Sequence, residues 1–279
     1  MKPVDVTLAI PCYNVADVLP ETLSAVADLD DSPGRVICID DGSTDETAEV
    51  IRDTPDIELI QHDENRGLAA ARNTALEHTE TEGLAMIDAD VVVDPDWLTH
   101  LIEEISTTDA VAVAGCVEER VDTLGDEWRA FYYSSNFGSE PRGEDLGWLI
   151  GANVLYDVDA LRAVGGWDEQ YRTNYEDVDL GERLTDAGYG LRYIPRARGE
   201  HNRTDTVPEA IRGKWNWAFR GRNEPHSIGH LFRRLPFHAG IGARDTFLAV
   251  KDLRLRLLPI TLVYPLFWIY YDLESYFGG

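Results

Sequence analysis

The chain has 279 residues, long for one small domain, so two compact units remain open beside a single large α/β unit. Its 44% hydrophobic and 10% aromatic content supplies a sizeable core and excludes an intrinsically disordered chain. The net charge of -26 excludes non-specific attraction to nucleic acid over the whole surface, and a positive charge carried almost entirely by arginine suits a halophilic, high-salt cytoplasm.

In chain order, Val6 to Ile10 is an apolar run stopped by Pro11, the pattern of a buried parallel strand with a loop at its carboxyl end. Apolar residues at helical spacing follow from Val15 to Asp28. A second strand, Arg35 to Ile39, runs into Asp40-Asp41-Gly42-Ser43, turn and capping residues before a helix around Glu46 to Arg52. A third strand, Ile57 to Gln61, leads through Asn65-Arg66-Gly67 into the alanine-rich helix Leu68 to His78, and a fourth, Gly83 to Ile87, ends at Asp88-Ala89-Asp90. This alternation predicts an α/β fold with a mostly parallel central sheet and helices on both faces, whose ligands bind beyond the carboxyl ends of the strands.

Further on, Val111 to Val117 reads as a strand, Trp128 to Tyr133 as an aromatic helical segment, and Ile150 to Tyr156 as another strand. A helix from Asp159 to Val164, a second opening at Glu176 and ending near Ala187, and a strand around Leu191 to Ile194 complete the regular part. Two divisions are expected, 1–205 and 206–279. From Arg192 to Arg256 there are 14 basic and 6 acidic residues, followed by an apolar stretch, Leu257 to Tyr271, broken by Pro259 and Pro265. That stretch is shorter than the roughly 20 residues of a spanning helix and suits an interfacial segment. Cys12, Cys38 and Cys116 lie in apolar runs and read as reduced, buried thiols. No secretion signal is expected from the N-terminal residues, because Asp5 and Asp17 interrupt their apolar pattern.

The polar clusters fall at the strand ends. Asp88 and Asp90 could share a divalent cation, Mn or Mg, with a diphosphate; the competing reading is a turn with a helix cap from Asp94. Asp40 and Asp41 could bind a nucleobase or ribose, or simply cap a turn. Arg72 could reach phosphate or base, or pair along its own helix. Glu176 and Asp177 could supply a general base, or sit at a helix N-terminus that favours negative charge. His201 is a candidate metal ligand, although a lone histidine is more often structural.

Six segments in this order, Val6 to Asn14, Cys38 to Thr47, Asn65 to Leu76, Met86 to Asp90, Gly151 to Glu169 and Tyr175 to Leu184, resemble glycosyltransferase family 2, whose catalytic domain has the Rossmann-like GT-A fold. The resemblance covers about residues 4 to 201. It implies that Pro11, Tyr13 and Asp41 line a nucleoside pocket, with Arg72 near base or phosphate and Asp88 near the ribose. It further implies that Asp90 and His201 hold the metal, that Asp177 is the base with Glu176 beside it, and that Gly151, Asn153 and Trp167 shape the donor-sugar and acceptor side. An inverting, metal-dependent transfer of one sugar from a nucleoside diphosphate sugar to an acceptor hydroxyl follows. Processive members carry Q-x-x-R-W after the acid pair, whereas here the nearest string is Ile211-Arg212-Gly213-Lys214-Trp215, which favours single transfer.

Basic residues before an apolar, aromatic tail suit a cytoplasmic membrane face and a polyprenyl-phosphate-linked glycan acceptor, as in surface-glycan or glycoprotein assembly. The opposing expectation for the tail is a helix packed on the protein or a dimer contact. Two other functions stay open: a sugar nucleotidyltransferase and a non-catalytic scaffold that binds nucleotide sugar.

Overall fold

The computed structural model describes residues 1–132, 137, 140–143, 146–171, 174–219 and 228–277. The chain divides into two compact units, one of residues 1–120 and 134–203, the other of 121–133 and 204–279. The division therefore comes near the expected boundary at 205, but residues 121–133 belong with the C-terminal unit. The reason is local: helix α5 (Leu124–Tyr132) buries Trp128 in the core of that unit.

The first unit is an eight-stranded sheet of β1 (Val6–Cys12), β2 (Arg35–Asp40), β3 (Glu58–Gln61), β4 (Gly83–Ile87), β5 (Val91–Val93), β6 (Ala110–Glu119), β7 (Asn153–Asp157) and β8 (Gly190–His201), in the order β3-β2-β1-β4-β7-β6-β8-β5. All seven residues of β1 are buried, and its side chains alternate. Val6, Leu8, Ile10 and Cys12 enter one apolar cluster and Ala9 the other, as the two-residue repeat of a doubly covered strand requires. Helices α1 (Leu19–Ala27), α2 (Thr47–Asp53) and α4 (Trp97–Thr107) cover the first face. The second is covered by α3 (Leu68–Glu77), α6 (Val158–Ala163) and α7 (Glu176–Asp186). Helices on both faces are thus as expected, and all three cysteines are buried and reduced.

Pairing is parallel through β3-β2-β1-β4 and again between β6 and β8, but β7 runs antiparallel to both β4 and β6. Inserting one reversed strand restores the direction of the next, so the carboxyl ends of β1, β2, β3, β4, β6 and β8 share one edge of the sheet. Two elements differ from the sequence expectation. β8 continues to His201 through Arg196, Arg198 and Glu200, because alternate positions such as Ala197 and Gly199 are buried while the charged ones face out. The short strand β5 pairs antiparallel with its last residues, Val91 opposite His201.

The second unit contains α5, α8 (Val207–Phe219), α9 (Ile228–Lys251) and α10 (Leu258–Phe277). Ile260, Tyr264, Trp268 and Tyr271 of α10 join Trp128, Ile211 and Trp215 in its core. Residues expected as an interfacial segment therefore form a helix with one buried face, while Leu262, Leu266 and Tyr270 remain exposed. Among the described residues no helix is long and apolar enough to cross a membrane. Trp215 packs rather than presenting a stacking surface. Its indole Nε1 donates to Asp272, whose carboxylate also accepts from Arg234 and pairs with His238.

Candidate active site

The loop after β2 places Asp41 beside the end of β1. One of its carboxylate oxygens, Oδ1, accepts from the Arg66 amide at 2.9 Å and pairs with His62 Nδ1 at 2.7 Å; the other, Oδ2, accepts from the Gly67 amide at 2.7 Å. Gly67 sits at φ +103°, a backbone region that favours glycine, and this turn brings both amides to the carboxylate before α3 begins. Asp41 lines a cavity of about 280 Å³ together with Pro11, Cys12, Tyr13, Asn65, Gly67, Leu68 and Ala71. Asp40 is not part of it. Its side chain is fully buried, with Oδ1 accepting from the Ser43 amide at 3.0 Å and Oδ2 from Gln61 Nε2 at 2.7 Å. Both oxygens are committed to the turn and to β3, which corrects the expectation that Asp40 binds nucleoside.

After β4, the Asp88 amide donates to the Ala152 carbonyl at 3.2 Å and the Ala89 carbonyl accepts from Thr22 Oγ1 at 2.8 Å, so both sides of the turn are anchored. β5 then carries Asp90 to the end of β8, where the Asn202 amide donates to the Asp90 carbonyl at 2.9 Å. Ligand atoms of Asp88, Asp90 and His201 lie within 4.8 Å of one another. His201 Nδ1 meets Glu119 Oε1 at 3.1 Å, leaving Nε2 turned to Asp90 at 4.0 Å, and Arg203 reaches Asp90 Oδ2 at 3.1 Å. Burial works against a charged His201, but Asp90 and Glu119 outweigh it and raise the imidazole above its ordinary pKa. Two carboxylates and an imidazole oriented by a third carboxylate, Glu119, form an oxygen and nitrogen donor set that fits Mn2+ or Mg2+.

The third cluster lies around Arg72, a fully buried residue of the alanine-rich α3. Its guanidinium donates to Glu176 Oε1 at 2.6 Å and to Asp88 Oδ1 at 3.3 Å. The side chain therefore ties the acid pair to the Asp88 turn instead of pointing to open space. A Cβ on Gly151 would lie 2.6 Å from this guanidinium, so a side chain there would push Arg72 away from its present position. Tyr175, at φ +79°, turns the chain into α7 so that the helix opens at once with Glu176 and Asp177. Burial raises Glu176 to about 7 against the opposing pull of Arg72. Burial also raises Asp177, opposed by Arg72 and by the amides of Gly151 and Val178. Glu176 Oε2 and Arg72 Nε have no hydrogen-bond partner among the described residues. Carboxylates raised in this way are stronger proton acceptors than freely hydrated ones.

Two expected sugar-side residues are committed elsewhere. Asn153 is buried, accepting from Trp97 Nε1 at 2.6 Å and donating to the carbonyls of Cys116 and Ala197 at 2.9 and 3.0 Å. It clamps β6, β8 and α4, and its side chain has no free group for a ligand. Trp167 is 2% exposed and packs edge-on against Tyr156 in the core. Pro11, Tyr13, Asp41, Asp88, Asp90, Gly151, Glu176, Asp177 and His201 do lie at the shared edge of the sheet. Sequence reasoning missed His62, Glu119 and Arg203. Each stands at or just beyond a strand end, which is the one signal that could have marked them.

The sequence profile described as Glycosyl transferase family 2 matches residues 7–165. The chain belongs to this family. A poly-beta-1,6-N-acetyl-D-glucosamine synthase of Staphylococcus epidermidis is 30% identical over 233 residues, 80% of this chain and 55% of that protein. The chain thus matches little more than half the length of that relative. Among solved structures, the mannosyltransferase PcManGT from Pyrobaculum calidifontis, in complex with GDP-Man and Mn2+, aligns with 100% of this chain and 88% of its own at a TM-score of 0.61 and 19% identity. GalNAc-T7, with UDP, GalNAc and Mn2+, aligns with 74% of this chain and 47% of its own at a TM-score of 0.57 and 15% identity. The fold is that of the GT-A glycosyltransferases.

Proposed function

We propose that this family 2 member transfers a single sugar from a nucleoside diphosphate sugar to a hydroxyl of a glycan acceptor, with inversion at the anomeric carbon. The observation that carries the reading is the gathering, on one sheet edge, of the Asp41 cavity, the Asp88, Asp90 and His201 group and the Glu176-Asp177 pair. A bound Mn2+ or Mg2+, held by Asp90 and His201 with Asp88 beside them, would neutralise negative charge on the departing diphosphate.

The rest is work for the chain. Pro11, Tyr13 and Asp41 hold the nucleoside, and Arg72 fixes Glu176 and Asp88 relative to each other. Asp177 takes the proton from the acceptor oxygen as that oxygen bonds to the anomeric carbon and the bond from that carbon to the diphosphate oxygen breaks. Gly151 steers Asp177 through its amide, at 3.3 Å.

The acceptor we favour is a lipid-linked glycan at the cytoplasmic face of a membrane, in surface-glycan or glycoprotein assembly. Support comes from the outer face of α10, where Leu262 and Leu266 are 65% and 64% exposed close in sequence to the exposed Arg254 and Arg256. Apolar side chains flanked by cations suit an anionic bilayer surface. The acidic, lysine-poor composition points to a halophilic setting.

Incubation with a panel of nucleotide sugars and glycan acceptors, with and without Mn2+, tests the reading. Release of nucleoside diphosphate with one added sugar per acceptor is expected. Pyrophosphate would point to nucleotidyl transfer, long products to a polymerase, and binding without turnover to a scaffold.

A further inference from the structure

The two nucleotides seen in solved structures of this fold, UDP and GDP-Man, show that the fold does not choose the base. Asp41 is the one carboxylate among the described residues lining the cavity, and its acceptor capacity can be counted. A carboxylate has about four lone-pair sites, two on each oxygen. Oδ1 already meets the Arg66 amide and His62 Nδ1, and Oδ2 meets the Gly67 amide. One site remains, on Oδ2. The His62 and Asp41 side chains are 7% and 4% exposed, so water does not compete freely for these contacts.

His62 is held in place from both sides. A carboxylate can only accept, so Nδ1 carries the proton toward Asp41, while Nε2 lies 2.9 Å from Thr74 Oγ1 on α3. Removing the Nδ1 donor would reopen a second lone-pair site, on Oδ1, and free the carboxylate to turn.

We infer that His62 is a specificity-determining residue: by filling one site on Asp41 it leaves a single acceptor, which selects the one-donor imide edge of uracil over guanine. Guanine offers two adjacent donors, a ring N–H and an amino group, and one of them would be buried without a partner at Asp41. Cytosine and adenine place a ring-nitrogen acceptor beside their amino donor, and that acceptor would face a carboxylate lone pair. Leaving a buried donor unpaired weakens binding by about tenfold or more. The inference rests on the transferase reading above and specifies the base its donor carries.

Calorimetric titration of the full chain with UDP and with GDP, at fixed Mg2+, tests it without any turnover. Wild type should bind UDP at least about tenfold more tightly than GDP. His62→Leu should bring that ratio to within about threefold of unity, whereas His62→Asn, which keeps an N–H near the Nδ1 position, should keep most of it. A merely structural His62 would instead weaken both nucleotides equally and leave the ratio unchanged. Equal binding of UDP and GDP by wild type, or a ratio that survives in His62→Leu, would overturn the assignment while the transferase reading stands. Binding of no nucleoside diphosphate at all would overturn the transferase reading itself.

Discussion

Glu176 offers a direct test of the site's electrostatics through stability alone. The carboxyl is 4% exposed, and burial holds its pKa at about 7 against an ordinary value of 4.5, even with Arg72 opposing. The folded chain therefore binds more protons at this group than the unfolded chain does between those two values. Its stabilising contribution is complete below about pH 4.5 and is lost as pH rises through about 7. The difference amounts to about 3 kcal/mol. Glu176→Gln keeps the carbonyl that accepts from Arg72 but removes the titration. The variant should match wild type near pH 5 to within about 1 kcal/mol and exceed it near pH 8 by about 3 kcal/mol. Urea unfolding of both proteins at the two pH values, at constant salt, measures this, because subtraction cancels the titration of carboxylates that do not interact with Glu176. A stability difference that is the same at both pH values, or a variant less stable near pH 8, would refute the reasoning.

Three further outcomes follow from the same geometry. Asp177→Asn should lower kcat by about 10²–10⁴-fold while nucleoside diphosphate affinity, measured by calorimetry, changes less than about threefold. Arg72→Leu should destabilise by about 3–5 kcal/mol, because it leaves Glu176 beside Asp88 without its cation; adding Glu176→Gln should recover much of that loss in thermal melts near pH 8. Asn153→Ala strips partners from Trp97 Nε1 and from the carbonyls of Cys116 and Ala197, and should cost about 3 kcal/mol or more, read as a fall in Tm.

Much of this architecture was legible in the sequence because it obeys simple periodicity. Continuous apolar runs such as Val6 to Ile10 and Gly83 to Ile87 have the length and flanking residues of strands covered on both faces, and the polar clusters after them share an edge once those strands are parallel. What could not be read was pairing between distant segments. The three residues of β5 are too short for a periodic signal, yet they bring Asp90 to His201. The alternation of arginine with buried small residues in β8 looked irregular because only one side of each pair is apolar. Asp40, Asn153 and Trp167 show the ambiguity from the other side. Their chemistry suits a ligand, but Asp40 and Asn153 also satisfy backbone groups, the Ser43 amide and the carbonyls of Cys116 and Ala197, Trp167 packs against Tyr156, and sequence alone does not say which demand is met. Arg72, expected near base or phosphate, has carboxylates of the chain itself, Glu176 and Asp88, as its partners.

The most direct test of the whole account is a crystal structure with Mn2+ and UDP, using the anomalous signal of manganese to locate the ion. The account predicts that signal between Asp90 and His201 with the diphosphate beside it, the uracil N–H on Asp41 Oδ2, and Asp177 facing the open side where an acceptor would enter. Manganese bound elsewhere, or a diphosphate out of reach of Asp90 and His201, would contradict it.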